Sequence, residues 1–395
     1  MAVGQPTVVL QGVETPNVSV DPDNYFRYTR RLRFPMKSLT TFAGVGSSDS
    51  VSLRQTGVVS KLLVRVTGTV TTSAAAATTS EWPYNLIRAF RVSANGQSNL
   101  INISGLQCKM INIIDNPAVT SKGVSRRANA ATGTTGNLQA GSLSLAAEDW
   151  GTGAGPELMG PAITALTAIS HTVDLYYEIP ISFDDKTLIG AVYAQTNATQ
   201  LTLDIDWETQ ANLLSAGSFT ANTLQFQVLG EVFSIPNVGG RYVVPDLSAF
   251  HSLISFKASG LSQGDNEILL PGTGVGRQLM RVFGQVYTGT APGTPLVVNA
   301  TNYGQLAWRY GGNDTPEFAP VATQLRYINE LDYNDDIAAL WGFWSWDFAT
   351  AWAFRDSVDE GSTTDLRVVA NLVSAPTNGV ARIVHETLFA APVGA

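Results

Sequence analysis

Residues 173–207 read VDLYYEIPISFDDKTLIGAVYAQTNATQLTLDIDW, and residues 338–372 read AALWGFWSWDFATAWAFRDSVDEGSTTDLRVVANL. The second stretch lies 165 positions after the first and aligns with it without a gap. Tyr177, Ile179, Ile181 and Phe183 recur every second residue, the period of a strand with one buried face. Trp344, Trp346 and Phe348 fall under the last three of them. Asp184 and Asp185 predict the cap of a short helix over 186–195. A second alternating strand follows on Leu201, Leu203, Ile205 and Trp207, matched by Leu366, Val368, Ala370 and Leu372. Few letters are identical. The shared pattern predicts one supersecondary unit used twice.

Further matches extend the repeat. Leu63, Arg65, Val66, Gly68, Val70 and Thr72 reappear as Leu279, Arg281, Val282, Gly284, Val286 and Thr288, at an offset of 216. Ala89 to Val92 is echoed by Ala307 to Tyr310, and a turn follows each copy, around Asn95-Gly96 and Gly312-Asn313. The segment ending at Asn112 (LQCKMIN) resembles the one ending at Asn329 (QLRYIN). Residues 231–236 resemble 387–392 at an offset of 156. The offset falls from near 217 to 165, so the first copy carries about 52 extra residues between Asn112 and Val173. They center on 118–170, where Gly, Ala, Ser and Thr dominate. An insertion of this length inside a compact fold reads as an elaborated loop, ordered by a neighbor. A smaller extension is expected over 208–222.

Short strands and Gly-rich turns without a helix between most strands exclude a parallel α/β sheet. The expectation is an all-β chain of two tandem eight-stranded jelly-roll sandwiches, a double jelly roll, with short helices. Residues 1–45 read as an N-terminal arm punctuated by Pro6, Pro16 and Pro22. Residues 46–240 form the first jelly roll with its 118–170 insertion, and 241–395 the second. The join lies near 238–246, where Gly239-Gly240 and Pro245 interrupt the pattern.

The chain has 395 residues, 44% apolar and only 14% charged, with a formal net charge of −8. That acidity argues against general nucleic-acid binding. The 18 arginines outnumber 6 lysines, a bias that suits protein interfaces. A single cysteine, Cys108, excludes an internal disulfide and reads as a packed small residue. The start of the chain lacks the basic and apolar regions of a signal peptide. The apolar run 337–354 is interrupted by Asp347 and reads as buried strand and helix. One segment concentrates positive charge: Arg27, Arg30, Arg31, Arg33 and Lys37 stand among Tyr25, Phe26, Tyr28, Leu32 and Phe34. Arginines mixed with aromatics suit contact with phosphate at a membrane interface, or packing on a neighboring subunit.

No catalytic constellation emerges. Gly260-Leu261-Ser262-Gln263-Gly264 has the letters of a nucleophile elbow, but Asp265-Asn266-Glu267 and a Pro271-Gly272 turn follow instead of a helix. His171, His251 and His385 lie far apart and show no metal spacing. The acids of 332–336 lack the later Gly and Glu of a calcium loop. Residues 272–276 (GTGVG) lack both the dinucleotide ending and a P-loop lysine. No catalytic residue, metal or cofactor is assigned.

Two eight-stranded jelly rolls in one chain resemble the double jelly-roll major capsid proteins. The tectivirus type, from tailless icosahedral bacteriophages with a membrane beneath the shell, is most similar. Residues 176–207, 62–72 and the turn after Phe90 carry the likeness. The resemblance implies a structural, non-enzymatic subunit. Its homotrimers would form six-lobed tiles that contact neighboring trimers and the minor capsid and vertex proteins in a virion shell assembled in the host cytoplasm. It also implies that 118–170 is an outward loop and that the basic arm meets viral membrane lipid, with no specific nucleic acid bound. The alternative is a two-domain β-sandwich that binds or degrades glycans through exposed aromatics and paired carboxylates.

Overall fold

The computed structural model describes residues 7–11, 13–74, 76–79, 81–115, 170–195, 200–271, 276–290, 293–309, 319–333, 337, 342–349, 357–360 and 365–390. The expected insertion over 118–170 lies outside them, apart from the backbone of Ser170. Eight strands build the first half: β1 Arg31–Thr41, β2 Ser48–Ser52, β3 Val58–Thr72, β4 Ile87–Ala94, β5 Gln97–Ile103, β6 Ser170–Pro180, β7 Leu201–Trp207 and β8 Gln225–Phe233. They form two antiparallel layers, β1-β8-β3-β6 and β2-β7-β4-β5. This is the order of a jelly roll. In the second half, β9 Ala249–Leu261, β10 Gly264–Leu269, β11 Arg277–Thr288, β12 Tyr303–Arg309, β13 Trp344–Asp347, β14 Arg367–Leu372 and β15 Gly379–Ala390 repeat it as β9-β15-β11-β13 and β10-β14-β12. Among the described residues this second layer has three strands and no counterpart of β5.

The sequence period explains the strands. Val173, Leu175, Tyr177 and Ile179 on β6 are buried, while Asp174, Tyr176 and Glu178 between them keep contact with solvent. Leu201, Leu203, Ile205 and Trp207 point into the same core. Burying each such side chain contributes roughly 1.5–3 kcal/mol before the entropy of ordering it. Trp344 and Trp346 on β13 are core residues of the second roll. Asn95 and Gly96, with φ of 50° and 78°, make the tight turn joining β4 to β5.

Two helices occupy equivalent places before β6 and β13: α2 Gly105–Asp115 and α3 Ala322–Tyr333. Each ends its matched segment with an asparagine that closes the edge of the following strand. Asn112 donates to the Glu178 carbonyl at 2.5 Å and accepts from its N–H at 3.0 Å. Asn329 does the same to Ser345, at 2.8 and 2.9 Å. The duplication therefore reaches individual hydrogen bonds. The register of β7 on β4 slips between copies by an even number. Leu203 pairs with Val92 and its match Val368 with Trp308, partners 216 apart rather than the 218 read from the letters. An even slip keeps every side chain on its face.

Two expectations need correction. The helix expected over 186–195 is a turn. Asp184 does cap it, accepting the N–H groups of Lys186 and Thr187 at 3.0 Å each. Leu188 and Gly190 then take positive φ, and Val192–Tyr193 pairs with β3, so no helical ladder forms. The helices lie instead at α2 and α3. The first 45 residues are not a loose arm. Thr7–Leu10 pairs with Val13–Pro16, Val18–Val20 pairs with Arg241–Val244, and α1 Pro22–Tyr28 buries Tyr25 completely. Arg31–Thr41 is itself the edge strand β1 of the first roll. The extension over 208–222 forms a short helix, Gln210–Leu213, and two short strands, Leu214–Ala216 and Phe219–Asn222.

The rolls are joined side by side. β5 pairs in parallel with β9 through Ile101 and Leu253, making one continuous sheet across both halves. Phe250, Leu253, Phe283 and Val384 of the second roll belong to the core cluster of the first. The connection turns at Gly239-Gly240, with φ of 60° and 84°, within a hairpin of Asn237–Val238 and Arg241–Val244.

Candidate assembly surfaces

The five basic residues singled out from the sequence divide between two elements. Arg27 lies in the last turn of α1, where a cation complements the helix dipole, and its guanidinium sits 5.4 Å from the Tyr28 ring center. Arg30 follows the helix. Arg31, Arg33 and Lys37 are on β1. Arg31 and Arg33 fold over the buried Glu231 of β8, at 3.5 and 2.6 Å, while their own side chains remain more than half exposed. Phe26, Tyr28, Leu32 and Leu39 are exposed beside them, at 40–49%. The structure thus brings the cations together with exposed apolar side chains on one edge of the first roll. Part of their charge is shared with Glu231.

Sequence reading missed a second feature, a buried ionic cluster where the rolls meet. Arg281 on β11 donates through Nε to Glu386 of β15 at 2.7 Å and through both terminal nitrogens to Asp115, the last residue of α2, at 3.0 Å. His251 Nε2 lies 2.8 Å from the other Glu386 oxygen. Asp347 stands opposite Arg281 in the sheet and accepts from Tyr333 at 3.2 Å. Burial alone would lower the Arg281 pKa, but Glu386 and Asp115 hold it well above its ordinary value. Burial pushes Asp115 up to about 6 against the pull of Arg281. Glu386 is held below its usual range because Arg281 and His251 outweigh its burial. The cluster ties the root of the first roll's helix to the second roll's sheet. The available signal was Arg281 itself, a charge repeated from Arg65 inside an apolar strand.

The chemical motifs resolve into structural roles. Gly260 and Gly264, with φ of 79° and 89°, bracket the turn from β9 to β10, and Asn266 accepts the Ser262 N–H. Burial holds His385 neutral and pushes its pKa down to about 4. Asp185 pairs with Lys61, which also takes Glu178. Cys108 is buried, and burial drives its thiol pKa up. Residues 272–275 and 334–336, and the side chain of His171, lie outside the described residues. Among those described, no group of three His, Cys, Asp or Glu side chains has metal-binding geometry, and no helix is long and apolar enough to cross a membrane.

No family model matches the sequence, and no curated protein does. Solved structures do match. The chain is similar to the STIV major capsid protein with a TM-score of 0.61 and 14% identity, over 92% of this chain and 98% of that one. A chain from the atomic structure of Sulfolobus turreted icosahedral virus gives 0.62 at 12% identity, over 92% and 91%. The fold is a double jelly roll. The Faustovirus major capsid protein shares it, with a TM-score of 0.55 and 10% identity over 92% of this chain and 91% of that one. In this chain α2 of the first roll packs where the second roll's sheet meets the first roll's core.

Proposed function

We propose that the chain is a major capsid protein, a structural subunit that tiles an icosahedral virus shell over an internal membrane. The observation that carries this reading is the double jelly roll itself, matched along 92% of this chain and 98% of the STIV capsid protein. Two like sandwiches in one polypeptide, the first opening with β1 at Arg31 and the second following the join at Gly239-Gly240, give six lobes when three chains associate. Closed threefold association of such chains makes a nearly hexagonal tile, which packs a flat facet. The subunit performs no catalysis and binds no specific nucleic acid. Its partners are further copies, the minor capsid and vertex proteins, and viral lipid, with the 118–170 loop on the outer surface of the virion.

Lipid contact belongs to the segment 25–37. Phe26, Tyr28 and Leu32 supply apolar surface, and Arg27, Arg30, Arg31, Arg33 and Lys37 supply charge for anionic headgroups at roughly 1 kcal/mol per cation near the surface. Deletion of residues 1–40 does not isolate this role, because it removes β1. Arg27→Glu with Arg30→Glu leaves the sheet intact. The paired change is expected to lower binding to vesicles containing anionic lipid about tenfold or more, without changing particle mass. Unchanged vesicle binding removes the lipid assignment. Light scattering on the purified protein tests the tile: a trimer that assembles into shells by electron microscopy supports it. A monomer that binds or hydrolyzes glycans replaces it with the sandwich alternative.

A further inference from the structure

The two rolls do not receive equal cover. α2 is buried along its length, with Met110 and Ile114 at 0% and 4% exposure. α3 takes the equivalent place in the second roll, yet Tyr327 and Leu331 are 61% and 64% exposed. Counted from the twin residues Asn112 and Asn329, Tyr327 stands where Met110 does, and Leu331 where Ile114 does. The difference lies in what covers each helix. α2 lies at the junction of the rolls, where its last residue Asp115 grips Arg281 and the first roll's core runs into Phe250, Phe283 and Val384. β11 is accordingly buried on both faces from Leu279 to Tyr287. Its counterpart β3 is buried only on alternate residues over 61–67, leaving Lys61, Leu63, Arg65 and Thr67 partly exposed.

Among the described residues, each chain therefore has one seat filled internally, one helix with an exposed face and one half-covered sheet. The charges match as well. Glu330 and Asp332 are exposed on α3. Lys61 and Arg65 lie on the first roll's outer sheet face, with Arg31 and Arg33 at its edge. Asp332 is the counterpart of Asp115, and Arg65 of Arg281. Arg65 already holds Asp174 at 2.8 Å. Arg281 shows that a guanidinium in this position engages two carboxylates together.

We propose that α3 of one chain seats on the β1-β8-β3-β6 sheet of a second copy, as α2 seats on the second roll's sheet within its own chain. Tyr327 and Leu331 become buried there, and Asp332 meets Arg65 of the second copy. The contact is head-to-tail, so one interface repeats around the whole ring. This seat rests on the self-assembly reading above and specifies which faces mate.

Cysteine cross-linking tests it. Leu331→Cys and Leu63→Cys are made separately and mixed, then treated with a short bis-maleimide. Buried Cys108 stays unreactive, which the wild-type protein controls. The expected result is a cross-linked dimer in the mixture and none in either variant alone. Tyr327→Asp with Leu331→Asp alters only exposed positions of the single chain and is expected to shift the light-scattering mass from multimer to monomer. A multimeric wild type with no cross-link in the mixture, or a double variant of wild-type mass, overturns the seat and leaves the capsid reading standing. A monomeric wild type overturns the capsid reading itself, and the seat with it.

Discussion

Replacing Arg281 with methionine probes the junction between the rolls most directly. The guanidinium is 5% exposed and lies 2.7 Å from Glu386 and 3.0 Å from Asp115. Methionine keeps much of the apolar stem and removes the cation that bridges buried Glu386 and partly buried Asp115. Removing one partner of a buried ion pair costs about 3–5 kcal/mol, because the charge left behind has lost its compensation. Here two charges are stranded, and the chain escapes by binding protons. The loss is therefore expected to be full at pH 7 and smaller at pH 5, where Asp115 and Glu386 accept protons more readily. Neutralizing all three, as Arg281→Met with Asp115→Asn and Glu386→Gln, should return to within about 2 kcal/mol of wild type, since an uncharged cluster avoids desolvation. Urea unfolding followed by tryptophan fluorescence reads the change, at fixed protein concentration because assembly shifts apparent stability. A loss below about 1 kcal/mol at pH 7, or a loss that does not shrink at pH 5, refutes the reasoning.

Asp115 and His385 oppose each other in acid. Asp115 has its pKa raised to about 6, so its contribution is present at low pH and is lost as pH rises through 6. His385 has its pKa lowered to about 4, so its contribution is present above 6.5 and is lost as pH falls through 4. Asp115→Asn removes the first and should make stability fall more steeply between pH 6.5 and 4; an unchanged slope contradicts the assignment. Asn329→Ala strands the N–H and C=O of fully buried Ser345 and should cost about 1–3 kcal/mol, more than Asn112→Ala at its half-buried twin site. Equal losses in denaturant would show that burial does not set the difference. Gly190 approaches the second roll with φ of 81°, and a Cβ there would lie 2.5 Å from the Cβ of His251. Gly190→Ala should destabilize by about 1–3 kcal/mol, and an unchanged melting temperature would mean that the rolls move apart freely.

Much of the architecture is readable from residue order because its signals are local. The alternation at Val173, Leu175, Tyr177 and Ile179 needs only the strand period and a core, and those residues are buried. The repeat from Leu63–Thr72 to Leu279–Thr288 is likewise one-dimensional and survives low identity, because faces must be kept while letters need not. The cap at Asp184 was legible for the same reason, since its hydrogen bonds reach only two and three residues ahead. What that cap begins was not legible: the turn is decided by positive φ at Leu188 and Gly190 and by the pairing of Val192–Tyr193 with β3, a strand more than a hundred residues earlier. The basic segment was legible as a cluster in an N-terminal arm, but its place on the edge strand β1 was not, because Glu231, which holds Arg31 and Arg33, is some two hundred positions away.

By itself the sequence determined the strand period, the duplication and the absence of a spaced catalytic motif, all properties of neighbors along the chain. Only the tertiary structure decided that Arg281, Glu386, Asp115 and His251 form one cluster, that α2 is buried along its length while α3 exposes Tyr327 and Leu331, and that β1 belongs to the sheet. Those facts depend on which surfaces meet once strands far apart in sequence have paired. Burial and the electrostatics that follow from it are set by that meeting, and no local pattern carries it.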